Sequence, residues 1–151
     1  MVRRGFACAA ILILCAGLML SCGKRYVGHS VDYRWDGWCT YSGGEKHCTA
    51  SRGALIFDYD IMEGPNKGEY VIDGYIDPTQ GEVKSFDHLM EGSGTHFSLI
   101  IANDGFVVDN LGFRPNTAYG SLGRRIPFRI EFVRSEGFDA VTFAYKISVR
   151  G

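Results

Sequence analysis

The feature that most restricts this chain is a side-chain alternation of period two, which recurs from residue 55 almost to the end. In Leu55-Ile56-Phe57-Asp58-Tyr59-Asp60-Ile61-Met62, the residues Leu55, Phe57, Tyr59 and Ile61 fall on one side, with Asp58 and Asp60 on the other. Successive strand side chains face opposite ways, whereas an amphipathic helix needs apolar positions three or four apart. Residues 70–77 alternate again after Gly64-Pro65-Asn66-Lys67-Gly68, a cluster of turn-forming residues. Together they predict a β-hairpin with one buried face. Phe97, Leu99 and Ile101 predict another strand over 95–102, and Phe106-Val107-Val108 its return. Between them, Asn103-Asp104-Gly105 suits a type I turn with Gly105 left-handed in a bulge.

Ile126, Phe128, Ile130 and Phe132 alternate with Arg129 and Glu131. Val141, Phe143, Tyr145, Ile147 and Val149 alternate with Thr142, Lys146 and Ser148. Adding strands near 26–33, 35–41 and 48–52 brings the total to about eight. No stretch after Cys22 carries a helical period, so the expected fold is an all-β antiparallel sandwich. A small β-barrel is the alternative, because a closed sheet alternates in the same way. The 20 glycines among 151 residues exceed the usual share of about 7% and suit a turn-dense chain. With 46% hydrophobic and 22% charged residues, an intrinsically disordered chain is excluded.

The amino terminus has a different pattern. Arg3 and Arg4 precede an uncharged apolar run over residues 6–20. That run is shorter than the span of about 20 residues a membrane helix needs, and a basic segment before a short apolar one is the pattern of a secretory signal. Its end, Leu18-Met19-Leu20-Ser21-Cys22, resembles the cleavage box of bacterial lipoprotein precursors. In that class a small residue precedes a cysteine that is lipidated and becomes residue one. The resemblance implies a cleaved signal over 1–21, a lipidated tether over 22–25 and a single domain over 26–151. It also implies export and a membrane anchor through Cys22. Gly23 is not the Asp that retains lipoproteins in the inner membrane, so the outer membrane is implied for a Gram-negative source.

Of the five cysteines, Cys8 and Cys15 lie in the apolar run and Cys22 would carry lipid. Cys39 and Cys48 remain, an even pair that an oxidising compartment would join. Ser42-Gly43-Gly44 between them predicts a turn that sets two strands side by side, and closing so short a loop contributes about 2–3 kcal/mol. The competing reading is a metal site with His47, but two thiols and one imidazole are an incomplete set.

Acids and bases are unevenly placed. Residues 56–91 hold nine acids against Lys67 and Lys84, whereas 112–151 hold seven bases against Glu131, Glu136 and Asp139. The two segments either steer a charged partner or face each other and solvent. An exported chain of net charge −1 is a poor nucleic-acid binder. If the hairpin pairs symmetrically about its turn, Asp58 opposes Asp73, with Asp60 on the same face. Opposed carboxylates repel unless a cation or proton joins them, which makes Asp58, Asp60 and Asp73 the calcium candidates or a carboxylate pair for glycoside hydrolysis. A solvated polar face is the plainer outcome.

No Gly-x-Ser-x-Gly, Walker or dinucleotide fingerprint occurs, and His29, His47, His88 and His96 are scattered singly. The expectation is therefore a non-enzymatic protein without a cofactor. Two segments suit binding. Trp35, Trp38 and Tyr41 form an aromatic group able to stack on sugars or pack around the disulfide. Residues 112–125 form a long connection bearing Phe113, Arg114, Tyr119, Arg124 and Arg125, residue types enriched at protein–protein hot spots. The expected function is a lipid-anchored binding or accessory subunit of the bacterial envelope, its partner an envelope protein or a glycan.

Overall fold

A computed structural model describes residues 26–35, 37–82, 86–87, 89, 95–116 and 125–147. The signal and tether, together with Tyr119 and Arg124, lie outside the described residues. The strands are β1 (Cys39–Thr40), β2 (Lys46–Arg52), β3 (Leu55–Glu63), β4 (Glu69–Pro78), β5 (Thr95–Asn103), β6 (Phe106–Phe113), β7 (Ile126–Val133) and β8 (Ala140–Ile147). They form two antiparallel four-stranded sheets, β1-β8-β5-β6 (sheet I) and β2-β3-β4-β7 (sheet II). Among the described residues no pairing joins the sheets, so the architecture is the sandwich and not the barrel.

The alternation explains the core. Leu55, Phe57, Tyr59 and Ile61 of β3, Ile72 and Ile76 of β4, and Ile126, Phe128 and Ile130 of β7 turn inward from sheet II. Phe97, Leu99 and Ile101 of β5 meet them with Val141 and Phe143 of β8. Phe143 is the knot between the layers. Its ring stacks on Phe57 at 4.5 Å and meets Tyr59 and Phe128 edge-on at 4.9 and 5.4 Å. Such aromatic pairs contribute about 0.5–1.5 kcal/mol beyond the area they bury.

Three local expectations are corrected. Cys39 and Cys48 are disulfide-bonded with Cα atoms 6.0 Å apart, yet their strands are not neighbours. β1 pairs with β8 and β2 with β3, so the bond ties sheet I to sheet II. Gly43 and Gly44, both at positive φ, make the turn that carries the chain between layers. The β5–β6 turn pairs Asn103 with Phe106 and has Asp104 at φ 51° and Gly105 at φ 77°. Two central residues at positive φ make a type I′ turn, whose twist matches paired strands, and the bulge sits instead between Ile101 and Ala102.

The third correction concerns residues 26–35 and 37–38, which form no strands. Gly28 and Val31 donate to the carbonyls of Val107 and Gly105, along the β6 edge of sheet I. The segment then crosses to the opposite edge, where the Gly37 carbonyl accepts from the Thr142 hydroxyl at 2.5 Å and Cys39 pairs with Val141. It is a strap over the outer face of sheet I. Beneath it Ile100, Ala102, Val107, Ala140 and Thr142 are buried, although none belongs to the layer between the sheets. The outer face of sheet I is thus covered at its strap end, while His96 and Lys146 at the other end are exposed and sheet II keeps its outer face open.

Candidate functional site: the outer face of sheet II

The inward turn of Cys48, Tyr59, Gly74 and Phe128 forces their strand neighbours outward. Register then sets those neighbours in rows. His47 lies opposite Asp60, Asp60 opposite Asp73, and Asp73 opposite Arg129. In the next row Thr49, Asp58, Tyr75 and Pro127 align. The expected partner of Asp73 was Asp58, two residues away. The hairpin closes by a bond from Gly64 N–H to the Glu69 carbonyl, leaving a four-residue loop centred one residue later than symmetry about Pro65-Asn66 implies. A shift of two keeps every side chain on its face, so the acidic face survives the correction.

Asp58, Asp60, Asp73, Asp77 and Glu131 on this face each have a basic partner. His47 Nδ1 is 2.8 Å from Asp60 and Nε2 is 3.0 Å from Asp58. Arg129 reaches Asp73 at 2.9 Å and Glu131 at 2.8 Å. Arg125 reaches Asp77 at 2.8 Å, comes within 3.8 Å of Asp58, and lies over the Tyr75 ring 4.8 Å from its centroid. The hydrogen bond to Asp77 leads in pushing the Arg125 guanidinium further above its ordinary range, and Glu131 followed by Asp73 does the same for Arg129. The acidic and basic segments of the sequence therefore face each other on one sheet.

The arrangement limits the available chemistry. Both ring nitrogens of His47 face carboxylates, Asp60 at Nδ1 and Asp58 at Nε2. Of the calcium candidates, Asp58 and Asp60 share His47, while Asp73 is held by Arg129. Among the described residues no three His, Cys, Asp or Glu side chains gather as a metal site. What the face offers is an ordered grid of both charges around one exposed ring, Tyr75.

The other expected binding residues are dispersed. Trp35 is exposed on the strap, Trp38 is half-buried against Tyr33 at 5.6 Å, and Tyr41 is buried in stacked contact with Phe138. These three do not make one platform. Phe113 ends β6 with its ring among Phe97, Phe128 and Phe143. Arg114 follows it, exposed, and Asn116 N–H donates to the Pro127 carbonyl, bringing the connection alongside β7. Arg114 and Arg125 thus stand at the two ends of that connection, with Arg125 on the open face.

Sequence reasoning missed His47 and Arg129 as members of this face. An inward Cys48 already implies an outward His47, but only the β2–β3 register shows which acids it meets. No family model, no curated protein and no solved structure matches the chain.

Proposed function

We propose that this protein is a lipid-anchored, extracytoplasmic β-sandwich that serves as a non-catalytic binding or accessory subunit of the bacterial envelope. The observation that carries this reading is the contrast between the two outer faces: the strap covers the buried end of one, and the other is an open, ion-paired grid. Charges already held in place by neighbours lose little freedom when a partner docks, and complementary charge favours encounter and correct orientation. The signal-like segment ending at Cys22 and the Cys39–Cys48 bond support an oxidising, membrane-bounded compartment. The partner is an envelope protein that meets the β7 side of sheet II, where Arg114 and Arg125 stand.

The test is in-cell cross-linking of the tagged protein, followed by membrane purification and mass spectrometry. One stoichiometric envelope protein linked near residues 112–125 is expected. Arg114→Ala combined with Arg125→Ala should deplete that protein roughly tenfold while leaving the chain in the membrane fraction, as for loss of a well-placed charged contact. An unchanged partner set in the double variant would remove this surface from the account.

A further inference from the structure

Seven large apolar side chains are exposed among the described residues: three of them, Tyr26, Val27 and Trp35, lie on the strap, and a fourth, Phe106, bridges the strap at Ser30. Trp35 is 74% and Phe106 52% exposed. The strap and turn form one end of the molecule. Val31 donates to the Gly105 carbonyl, Ser30 bridges Phe106, and the Tyr33 hydroxyl accepts from Gly105 N–H while donating to Asp139. The strap thus turns apolar side chains to solvent while it covers a buried layer beneath it.

We infer that this end, carrying Tyr26, Val27, Trp35 and Phe106, lies in the headgroup layer of the bilayer to which the chain is tethered. The inference rests on the proposed acylation of Cys22. Four residue steps separate Cys22 from Tyr26, so even a fully extended link reaches about 14 Å. An eight-residue strand is about 26 Å long, so the tether is shorter than the domain it holds. Tyr26, where the strap begins, therefore stays within about 14 Å of the surface whatever way the domain tumbles. Tyr and Trp, each apolar in body and polar at one end, are the rings that settle at a membrane–water interface. The Asp32 carboxylate is matched by Arg34 at 2.6 Å. Asp104 also sits at this end, which favours a shallow seat among headgroups over burial in the acyl region.

The test uses the full acylated chain, purified from membranes and returned to vesicles of phosphatidylethanolamine and phosphatidylglycerol, with or without bromine on the upper acyl chain. Flotation and the mass of the Cys22 peptide report the anchor, and tryptophan emission reports the contact. Brominated vesicles should roughly halve the emission and shift it to shorter wavelength. Trp35→Phe should abolish the quenching, since Trp38 stays packed on Tyr33. An acylated, floating protein whose emission ignores bromine would overturn the contact and leave the anchor standing. Shielded emission in detergent, accompanied by a dimer, would overturn it in favour of a second copy. A chain without acyl mass that fails to float would remove anchor and contact together.

Discussion

Tyr59 is the residue at which the core departs from its own rule. Its side chain is 1% exposed, and its hydroxyl has no hydrogen-bond partner, while burial drives the phenol far above its ordinary pKa. A buried polar group without a partner costs about 1–3 kcal/mol. Tyr59→Phe keeps the ring against Phe143 and removes only the unpartnered oxygen, so stability should be unchanged or higher by about 1 kcal/mol in thermal or denaturant unfolding. A loss of stability would mean that the hydroxyl has a partner in solution. The residue opposite, Gly74, is fixed by sterics: a Cβ there would come 2.4 Å from the Asp58 carbonyl oxygen and 2.6 Å from the Tyr59 Cβ. Neither fact is legible in the sequence. Alternation tells that Tyr59 and Gly74 face inward, but the missing partner and the missing space belong to neighbours on other strands.

Among the elements, the hairpin strands were legible and the strap was not. β3, β4, β5, β7 and most of β8 follow period two because each buries one face against the opposite sheet. The strap escapes that logic. Tyr26, Gly28 and Gly37 sit at positive φ, and a turn at Asp32 to Trp35 interrupts it, so no alternation survives to be read. β5 carried the clue: Ile100 and Ala102 interleave with Leu99 and Ile101, and a run apolar on both parities is a strand buried on both sides. Tyr33 pins this element to the end of sheet I, and its phenol is pushed up to about 12, chiefly by burial and then by the bond it donates to Asp139. A raised native pKa favours folding most where both states are protonated. That contribution is complete below the ordinary value of 10.0 and disappears as pH rises towards 12. The melting temperature should therefore fall across this window, less steeply in Tyr33→Phe, with phenolate absorbance identifying the late-titrating ring. Equal slopes in the two proteins would show that Tyr33 does not hold the strap.

For the whole molecule, the Cys39–Cys48 bond matters more than its short loop suggests, because it joins layers that share no strand pairing. Loop closure over a separation of 9 residues corresponds to about 2–3 kcal/mol. Cys39→Ser with Cys48→Ser should lower unfolding stability by about that amount, and a reductant should reproduce the change in the unaltered chain but not in the variant. The open face was legible as a bias of charge between two segments, but not as a grid. Which acid meets which base depends on a turn centre and on the distant pairing of β4 with β7, which no local pattern encodes.

For a chain exported amino terminus first, as proposed above, the same topology sets an order of events. The strap and β1 would emerge earliest, yet the groups that hold them, Gly105, Val107, Asp139, Ala140 and Val141, emerge late. The first segment out is among the last to find its place. Meanwhile the β2–β3–β4 meander can assemble from contiguous residues, and the nearby thiols can join before β8 arrives. Under that proposal, the molecule is a meander that waits for its own tail to close the door behind its head.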